Sequence, residues 1–533
     1  MSDDKESPYP VSKTKQERYF LTRFENDVQI IFDKMCFSKN IPSVKVNLLM
    51  RRGILYLKAD YILPLKSFES PQLNCEELVF RLKTINYLLD VEIDSNFNLT
   101  FGLKRPDVYK IVLDEVTNFN CSYGMSEKNN VVLVLVDNDE VNDFIRTRNN
   151  LLAHHIISLL SANKAEVYYS GCSFLSKHDI LNASEVKCLA DCDLDYLCDQ
   201  MRDKLNVSEW RKECETEGSL CIDAKEYLEK NVLLDKYGKD INSIIVPDLN
   251  DKLFKKVASI KHLISNHIKD TPDVILYIAF HGVNRAIWKM GILLQILEKP
   301  ISIKSYIFNQ SVKINVKEDF TFDNYVLHHK NGVEKAMTEK YNIDVCQDKV
   351  WSSRIEKLID SAVKFDFLKL SPNMSLKLDL SNCHSTEKNS GIFVQYNFAR
   401  LSNLFSKFET KVKEGYYEPL KALEDVDFSL LRLEEEWNLF QYVVSFPKLI
   451  NRVLDCFFSE SNLKTRYPVN GICVMLTELC HYLSLYYSKI RILAGPQKHL
   501  QILMNARLWL LKGIYRVMLN SFVLLDIQGL DVM

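Results

Sequence analysis

Apolar positions follow three different rules along this chain. From residue 391 onward they recur with a helical period. Leu401, Leu404, Phe405 and Phe408 form one set, Trp437, Phe440, Val443 and Val444 a second, and Leu476, Leu479, Leu483, Tyr486 and Tyr487 a third. Spacings of three and four place each set on one helix face, so the stretch reads as several amphipathic helices packed as a bundle. The middle of the chain is different. Val131–Val136 is an unbroken apolar run, as a parallel strand covered on both faces requires. A helical pattern from Asn142 to Ala162 follows it, and then the strand-like Ala165–Tyr169. Thr271–Phe280 and the helix Ala286–Leu297 repeat that strand and helix order, the mark of an α/β body. Residues 19–117 mix the two periods. Phe20, Phe24, Val28, Ile31 and Phe32 make a helical face; Val44–Leu48 and Ile54–Leu57 read as strands; Leu78, Leu82, Ile85 and Leu89 read as a further helix.

The expected architecture is therefore α/β plus all-α. A polar leader spans 1–18 and an N-terminal α+β domain 19–118. The α/β body covers 119–385, with a polar, cysteine-bearing insertion with helices around 170–250. A helical domain fills 386–533. The leader is polar and charged without the apolar core of a signal peptide, and reads as disordered. A length of 533 residues fits about three domains.

Composition narrows the function classes. Hydrophobic residues are 47% and charged residues 26%, as in a soluble globular chain. Net charge is −2, so any nucleic-acid site must be local. The apolar runs are strand-sized, far below the ~20 residues of a membrane span. There are 14 cysteines without a secretion signal, read as reduced thiols of a cytoplasmic protein. The densest group (Cys188, Cys192, Cys198, Cys214 and Cys221) has no Cys-x-x-Cys pair and no histidine, so no metal is expected. His262 and His267 do not share a helix face, and His328 and His329 are adjacent; neither is a metal pair. Phosphate-cradling glycine loops are absent, no cofactor is expected, and no catalytic residue is assigned.

Short motifs in the bundle occur in a telling order. Gln395, Tyr396, Ala399 and Arg400 spell Gln-Tyr-x-x-Ala-Arg. Glu434 to Glu436 precede Phe446-Pro447, and Tyr486-Tyr487-Ser-Lys-Ile-Arg491-Ile-Leu493 follows, with Met533 at the end. This block resembles the DALR anticodon-binding domain that closes arginyl-tRNA synthetases. Asn505 stands in place of the Asp of the tetrapeptide that names the domain, and the order Ala-Arg-Leu after it differs. The body resembles a degenerate class I synthetase catalytic (Rossmann) domain. Its first-strand loop would carry His-x-Gly-His, whose histidines stabilise the transferring phosphate. Here Asp137, Asp139, Glu140 and Asp143 occupy that loop and oppose an anion. The Lys-Met-Ser-Lys-like loop also has no match, Lys330–Lys335 being the nearest stretch. A non-synthetase family shares this layout: DALR-domain proteins that assist tRNA 3-methylcytidine formation. That resemblance implies a non-catalytic, tRNA-binding adaptor, with arginine tRNA and a tRNA 3-methylcytidine methyltransferase as partners and no membrane. A diverged arginyl-tRNA synthetase and a protein-binding scaffold without RNA are the alternatives.

Charge within the bundle is uneven. Residues 395–436 hold six Lys/Arg against nine Asp/Glu, whereas 437–533 hold ten against five. Tyr482, Tyr486, Tyr487 and Tyr515 interleave with the later cations. Stacking and cationic contacts are how RNA loops are read; a solvated face above core tyrosines would give the same pattern, and the resemblance favours RNA. The candidate RNA contacts are Tyr396, Arg400, Tyr486, Lys489, Arg491, Lys512 and Arg516. Tyr396 and Arg400 could instead fasten the bundle to the body. On the last helix, Leu503, Ala506, Leu510, Ile514 and Val517 form the apolar face, with Lys512, Arg516 and Asn520 opposite. Arg507 falls beside the apolar face and is expected to be structural, paired inside the bundle.

Overall fold

The computed structural model describes residues 18–38, 45–50, 59–65, 75–139, 141–170, 184–185, 191–213, 219–233, 242–246, 252–268, 271–281, 284–297, 303–314, 320–341, 349–378, 380, 390–458, 467–495 and 497–530. The expected leader up to residue 17, the strand at Ile54–Leu57, Glu140, Cys188, Cys214 and Met533 lie outside them.

The N-terminal region runs α1 (Phe20–Ser38), β1 (Leu49–Met50), β2 (Tyr61–Pro64), α2 (Cys75–Leu82), β3 (Leu88–Ile93), β4 (Asn98–Leu103) and α3 (Arg105–Phe119). Its strands form one antiparallel sheet in the order β1-β2-β4-β3. Phe20, Phe24, Val28 and Phe32 of α1 are buried against it. Two expectations shift. The strand expected at Val44–Leu48 begins at Leu49, and α2 ends at Leu82 instead of running to Leu89. Leu89 belongs to β3, at an irregularity of its pairing with β4 that turns it outward, and is 72% exposed while Leu88 and Val91 are buried.

The body runs β5 (Val131–Val136), α4 (Asp143–Ala162), β6 (Glu166–Ser170), β7 (Ser184–Glu185), α5 (Asp191–Asn206), β8 (Arg211–Lys212), β9 (Leu220–Ile222), α6 (Ala224–Lys230), β10 (Ile244–Val246), α7 (Lys252–His267), β11 (Val274–Phe280), α8 (Asn284–Leu297), β12 (Ile303–Asn309), β13 (Val312–Ile314), α9 (Phe322–Tyr341), α10 (Lys349–Leu368) and β14 (Leu376–Leu378). Five parallel strands make its sheet, ordered β12-β11-β5-β6-β7. Val132, Leu133 and Val134 are buried whichever face they point to, which is why β5 is apolar throughout. The cysteine-bearing stretch contributes helices and also a small antiparallel sheet, β10-β9-β8.

Among the described residues four α-helices follow: α11 (Gly391–Lys413), α12 (Glu434–Phe458), α13 (Gly471–Lys489) and α14 (Lys498–Leu524). They pack on the body and the N-terminal region alike. Gly391 lies so close to α10 that a Cβ there would run into the Ser361 carbonyl. Gln395 donates to Ser361 Oγ (2.7 Å) and the Gln528 carbonyl (2.8 Å) and accepts from Leu530 N, pinning the tail to both helices. Buried His155 of α4 sits 2.7 Å from the Leu524 carbonyl and 3.1 Å from that of Val469. Lys448, next to Pro447, reaches Glu25 of α1 at 2.6 Å. Gly124 takes a positive φ of 87° where a side chain would meet the Phe446 ring. The Phe-Pro segment of the bundle is thus the seat of the N-terminal region. No helix among the described residues is long and apolar enough to cross a membrane.

Candidate functional site

Two places can be judged as sites: the crevice at the carboxyl ends of the parallel strands, and the outer surface of the bundle. The chain leaves β5 toward β6 and returns on the other side as β11, so the switch point lies between β5 and β11, where α/β sheets bind their ligands. Here that point is filled by the protein itself. Asp137, directly after β5, accepts from Lys256 Nζ of α7 (2.6 Å) and from the Tyr277 hydroxyl of β11 (2.9 Å). Lys256 also bridges to Asp139 at 3.0 Å. Burial works against the lysine charge, yet Asp137 and Asp139 outweigh it and hold its pKa above the usual lysine value.

An amide network closes the rest. Asn149 Nδ2 donates to the Asp137 carbonyl and to Asn138 Oδ1, Asn138 Nδ2 donates to Asn150 Oδ1, and Asn309 Nδ2 at the end of β12 donates to Asn149 Oδ1. The amino end of α4 is capped by its own Asn142, whose side chain accepts from Ile145 N, and carries Asp143 in its first turn. A phosphate would meet a satisfied cap and a negative charge there. Arg148, nearly sealed from solvent, turns inward to the Gln310 and Ser371 carbonyls, and burial lowers its pKa to about 10. Lys330–Lys335 lies inside α9, a helix where the synthetase motif would need a mobile loop.

In the bundle, three consecutive glutamates at the start of α12 each take a different cation. Glu434 pairs with Arg105 of α3 at 2.6 Å, Glu435 with Lys489 of α13 at 3.4 Å, and Glu436 with Arg507 of α14 at 2.9 Å. Glu436 is fully buried; its carboxylate also accepts from Tyr486 Oη (3.1 Å) and Leu433 N (3.1 Å). Arg507 therefore sits in a buried ion pair. Tyr486 departs from its expected surface role: it is 1% exposed, burial and Glu436 push its pKa far up, and neither ring face is open to an RNA base. The tyrosine that faces outward is the next one along.

Arg400 of α11 lies 4.1 Å from the centroid of that ring, Tyr487, and 5.4 Å from that of Tyr396. All three are half-buried. No carboxylate among the described residues comes within ion-pair distance of Arg400. The structure thus joins Tyr396, Arg400 and Tyr487 into one cation–aromatic cluster. Lys489 and Arg491 are exposed at the end of α13, where Arg491 Nε donates to the Leu493 carbonyl at 3.2 Å.

Lys512 and Arg516 form a second group. Lys512 Nζ lies 4.4 Å from the Trp509 ring centroid, and Arg516 Nη1 is 3.5 Å from Cys121 Sγ. Asn520, expected on the same solvent face, is 2% exposed and donates to the Asn120 and Tyr123 carbonyls. The turn after α3 covers the polar side of α14 at Asn520, whereas Lys512, two turns earlier, stays exposed. Sequence reasoning missed Lys256, which belongs to no motif, and Lys448, whose adjacency to Phe446-Pro447 was the available signal.

Residues 394–533 match the family model of the DALR anticodon binding domain. Rat "DALR anticodon-binding domain-containing protein 3" is 32% identical over 198 residues, 37% of this chain and 37% of that protein. The arginine–tRNA ligase of Saccharolobus solfataricus is 27% identical over 179 residues, 34% of this chain and 25% of the ligase. The matched segment thus spans little more than a third of these relatives at most. In fold the likeness is wider: Thermus thermophilus arginyl-tRNA synthetase superposes with a TM-score of 0.70 at 14% identity, covering 96% of this chain and 99% of the synthetase. The architecture is that of an arginyl-tRNA synthetase, an α/β body with a DALR-type helical domain at its carboxyl end.

Proposed function

Starting from a DALR anticodon-binding domain carried on a synthetase-like fold, we propose that this protein binds tRNA through its bundle and performs no aminoacylation. One observation carries the reading. The crevice that would hold ATP is occupied by the Asp137–Lys256–Asp139 ion pairs, while Arg400 and Lys512 sit beside aromatic rings and Arg516 beside the Cys121 thiol, with no carboxylate partner among the described residues. Charge at the crevice is satisfied from within; charge on the bundle is left for an external anion.

The finer reading is an adaptor. The chain recognises arginine tRNAs and presents them to a methyltransferase that forms 3-methylcytidine in the anticodon loop. Its support is the sequence resemblance, the match of the bundle to an anticodon-binding domain, and the likeness to rat DALR anticodon-binding domain-containing protein 3. The RNA contacts proposed are Tyr396, Arg400, Lys489, Arg491, Lys512 and Arg516, with Tyr487 joining Tyr396 around Arg400. The proposed units are an N-terminal α+β domain over 19–118, a body over 119–385 and the helical domain over 386–533.

Deleting the protein from cells and measuring 3-methylcytidine in individual tRNAs tests the adaptor. Loss confined to a subset of arginine tRNAs is expected; unchanged methylation in all of them would overturn it. ATP–pyrophosphate exchange with arginine and tRNA tests the missing chemistry, and turnover that follows the purified protein would restore the synthetase reading.

A further inference from the structure

A cleft of about 760 Å³ opens where α3, α11 and α14 meet. Its floor is apolar and aromatic, with Phe405, Tyr515 and Trp509 among the walls. The rings are held in place from behind. Tyr515 stacks on Phe398 with centroids 5.0 Å apart and meets Phe405 edge-on at 5.6 Å, and the Trp509 indole N–H donates to the Lys421 carbonyl at 3.0 Å. The rim carries Lys413, Lys512 and Arg516 against one carboxylate, Glu409. None of these four forms an ion pair among the described residues. Burial, and then repulsion from Arg516, depresses the pKa of Lys512, so the pair of cations gains from an anion between them.

We propose that this cleft receives one nucleotide of a bound RNA, its base against the aromatic wall and its phosphate at Lys512 and Arg516. The inference rests on the RNA-binding reading above and adds a place to it. The volume is that of a single small-ligand site and is too confined for a helix or a folded partner. The chemistry is mixed in the way a nucleotide is mixed: flat and apolar at one end, anionic at the other. Ser402 and Ser406 line the same cleft and can hydrogen-bond base edges, and Glu409 can accept from an exocyclic amino group. The site joins the N-terminal region to the bundle, so an RNA seated there touches both.

The test uses the full chain and arginine tRNA in equilibrium binding. Ser406→Trp fills the cleft from an exposed helix position, and Lys512→Ala with Arg516→Ala removes the phosphate end. Ser406→Trp is expected to weaken binding between about fivefold and a hundredfold, the range for one lost stacked base. The double variant is expected to weaken binding and flatten its salt dependence by about 0.7 per lost contact. Thermal melting close to that of the parent confirms that each variant is folded. Parent binding with an undiminished Ser406→Trp affinity overturns the cleft and leaves the RNA reading standing. Absence of binding by the parent chain overturns the RNA reading itself. A third arm titrates AMP and CMP against the intrinsic tryptophan fluorescence, to which Trp509 in the cleft wall contributes. Saturation at micromolar mononucleotide with tRNA affinity unchanged in Ser406→Trp would assign the cleft to a free nucleotide and overturn the RNA-borne one; weak mononucleotide binding is the expected result.

Discussion

The strand-end crevice and the bundle surface are built from the same residue types and use them in opposite ways. At the crevice, Lys256 is bound by Asp137 and Asp139, and Arg148 is turned onto backbone carbonyls. On the bundle, glutamates 434–436 tie down Arg105, Lys489 and Arg507, while Arg400, Lys512 and Arg516 have rings or a thiol for neighbours instead of carboxylates. Counting charges would not separate the two regions; asking which charges are already paired does. A buried ion pair gives little net stability but is costly to break from one side. An unpaired cation on a partly desolvated face keeps its attraction for phosphate.

Breaking the inner pairing of the bundle gives the largest expected effect. Glu436→Leu leaves Arg507 and the Tyr486 hydroxyl without their shared acceptor, and should cost about 3–5 kcal/mol of stability, the usual penalty for stranding one half of a buried pair. Chemical denaturation measures it; a loss under about 1 kcal/mol, the value of an exposed pair, would show that Arg507 is effectively a surface residue. Lys256→Ala breaks the crevice pair. Asp137 would keep the Tyr277 hydroxyl and the Asp139 N–H but lose its counter-charge, so a cost of about 1–3 kcal/mol is expected, with tRNA affinity unchanged. A gain of ATP binding in this variant would mean that the ion pair alone was closing the site.

The smallest effect lies outside both regions and serves as a control on how burial and pairing trade off. Glu115 of α3 is almost fully buried, and burial pushes its carboxyl up to about 7 despite Arg23 at 2.6 Å and the Phe20 N–H. The folded chain then holds this proton to higher pH than the unfolded chain. The stability it contributes is full below the ordinary value of 4.5 and falls as pH rises toward about 7. Glu115→Gln should flatten that part of the melting-temperature profile; an unaltered profile would show that Arg23 keeps the carboxylate ionised throughout.

Much of the fold was legible because period and burial agree. β5 is apolar on both faces, and α4 starts at the Asn142 cap that ends its polar loop. Legibility failed where a side chain's neighbours come from distant parts of the chain. Leu89 matched a helical spacing only because Leu78, Leu82 and Ile85 precede it. Tyr486 and Tyr487 look equivalent in sequence, and the buried Glu436 decides which one is inside. Asn520 reads as solvent-facing on an isolated helix, and the turn after α3 covers it. The crevice was half legible: its acidic loop predicted poor anion binding, but the partner that neutralises the acids, Lys256, lies 119 residues away from Asp137 in sequence.

The central claim is that the unpaired cations of the bundle, rather than any crevice residue, carry RNA affinity. Its most direct test is the slope of log K against log salt for arginine tRNA, in the parent chain and in a variant with Arg400, Lys512 and Arg516 all changed to alanine. With about −0.7 per phosphate contact to a single-stranded segment, the parent slope should flatten by about 2 in the variant. A parent chain that binds with the same slope as the variant would contradict the account.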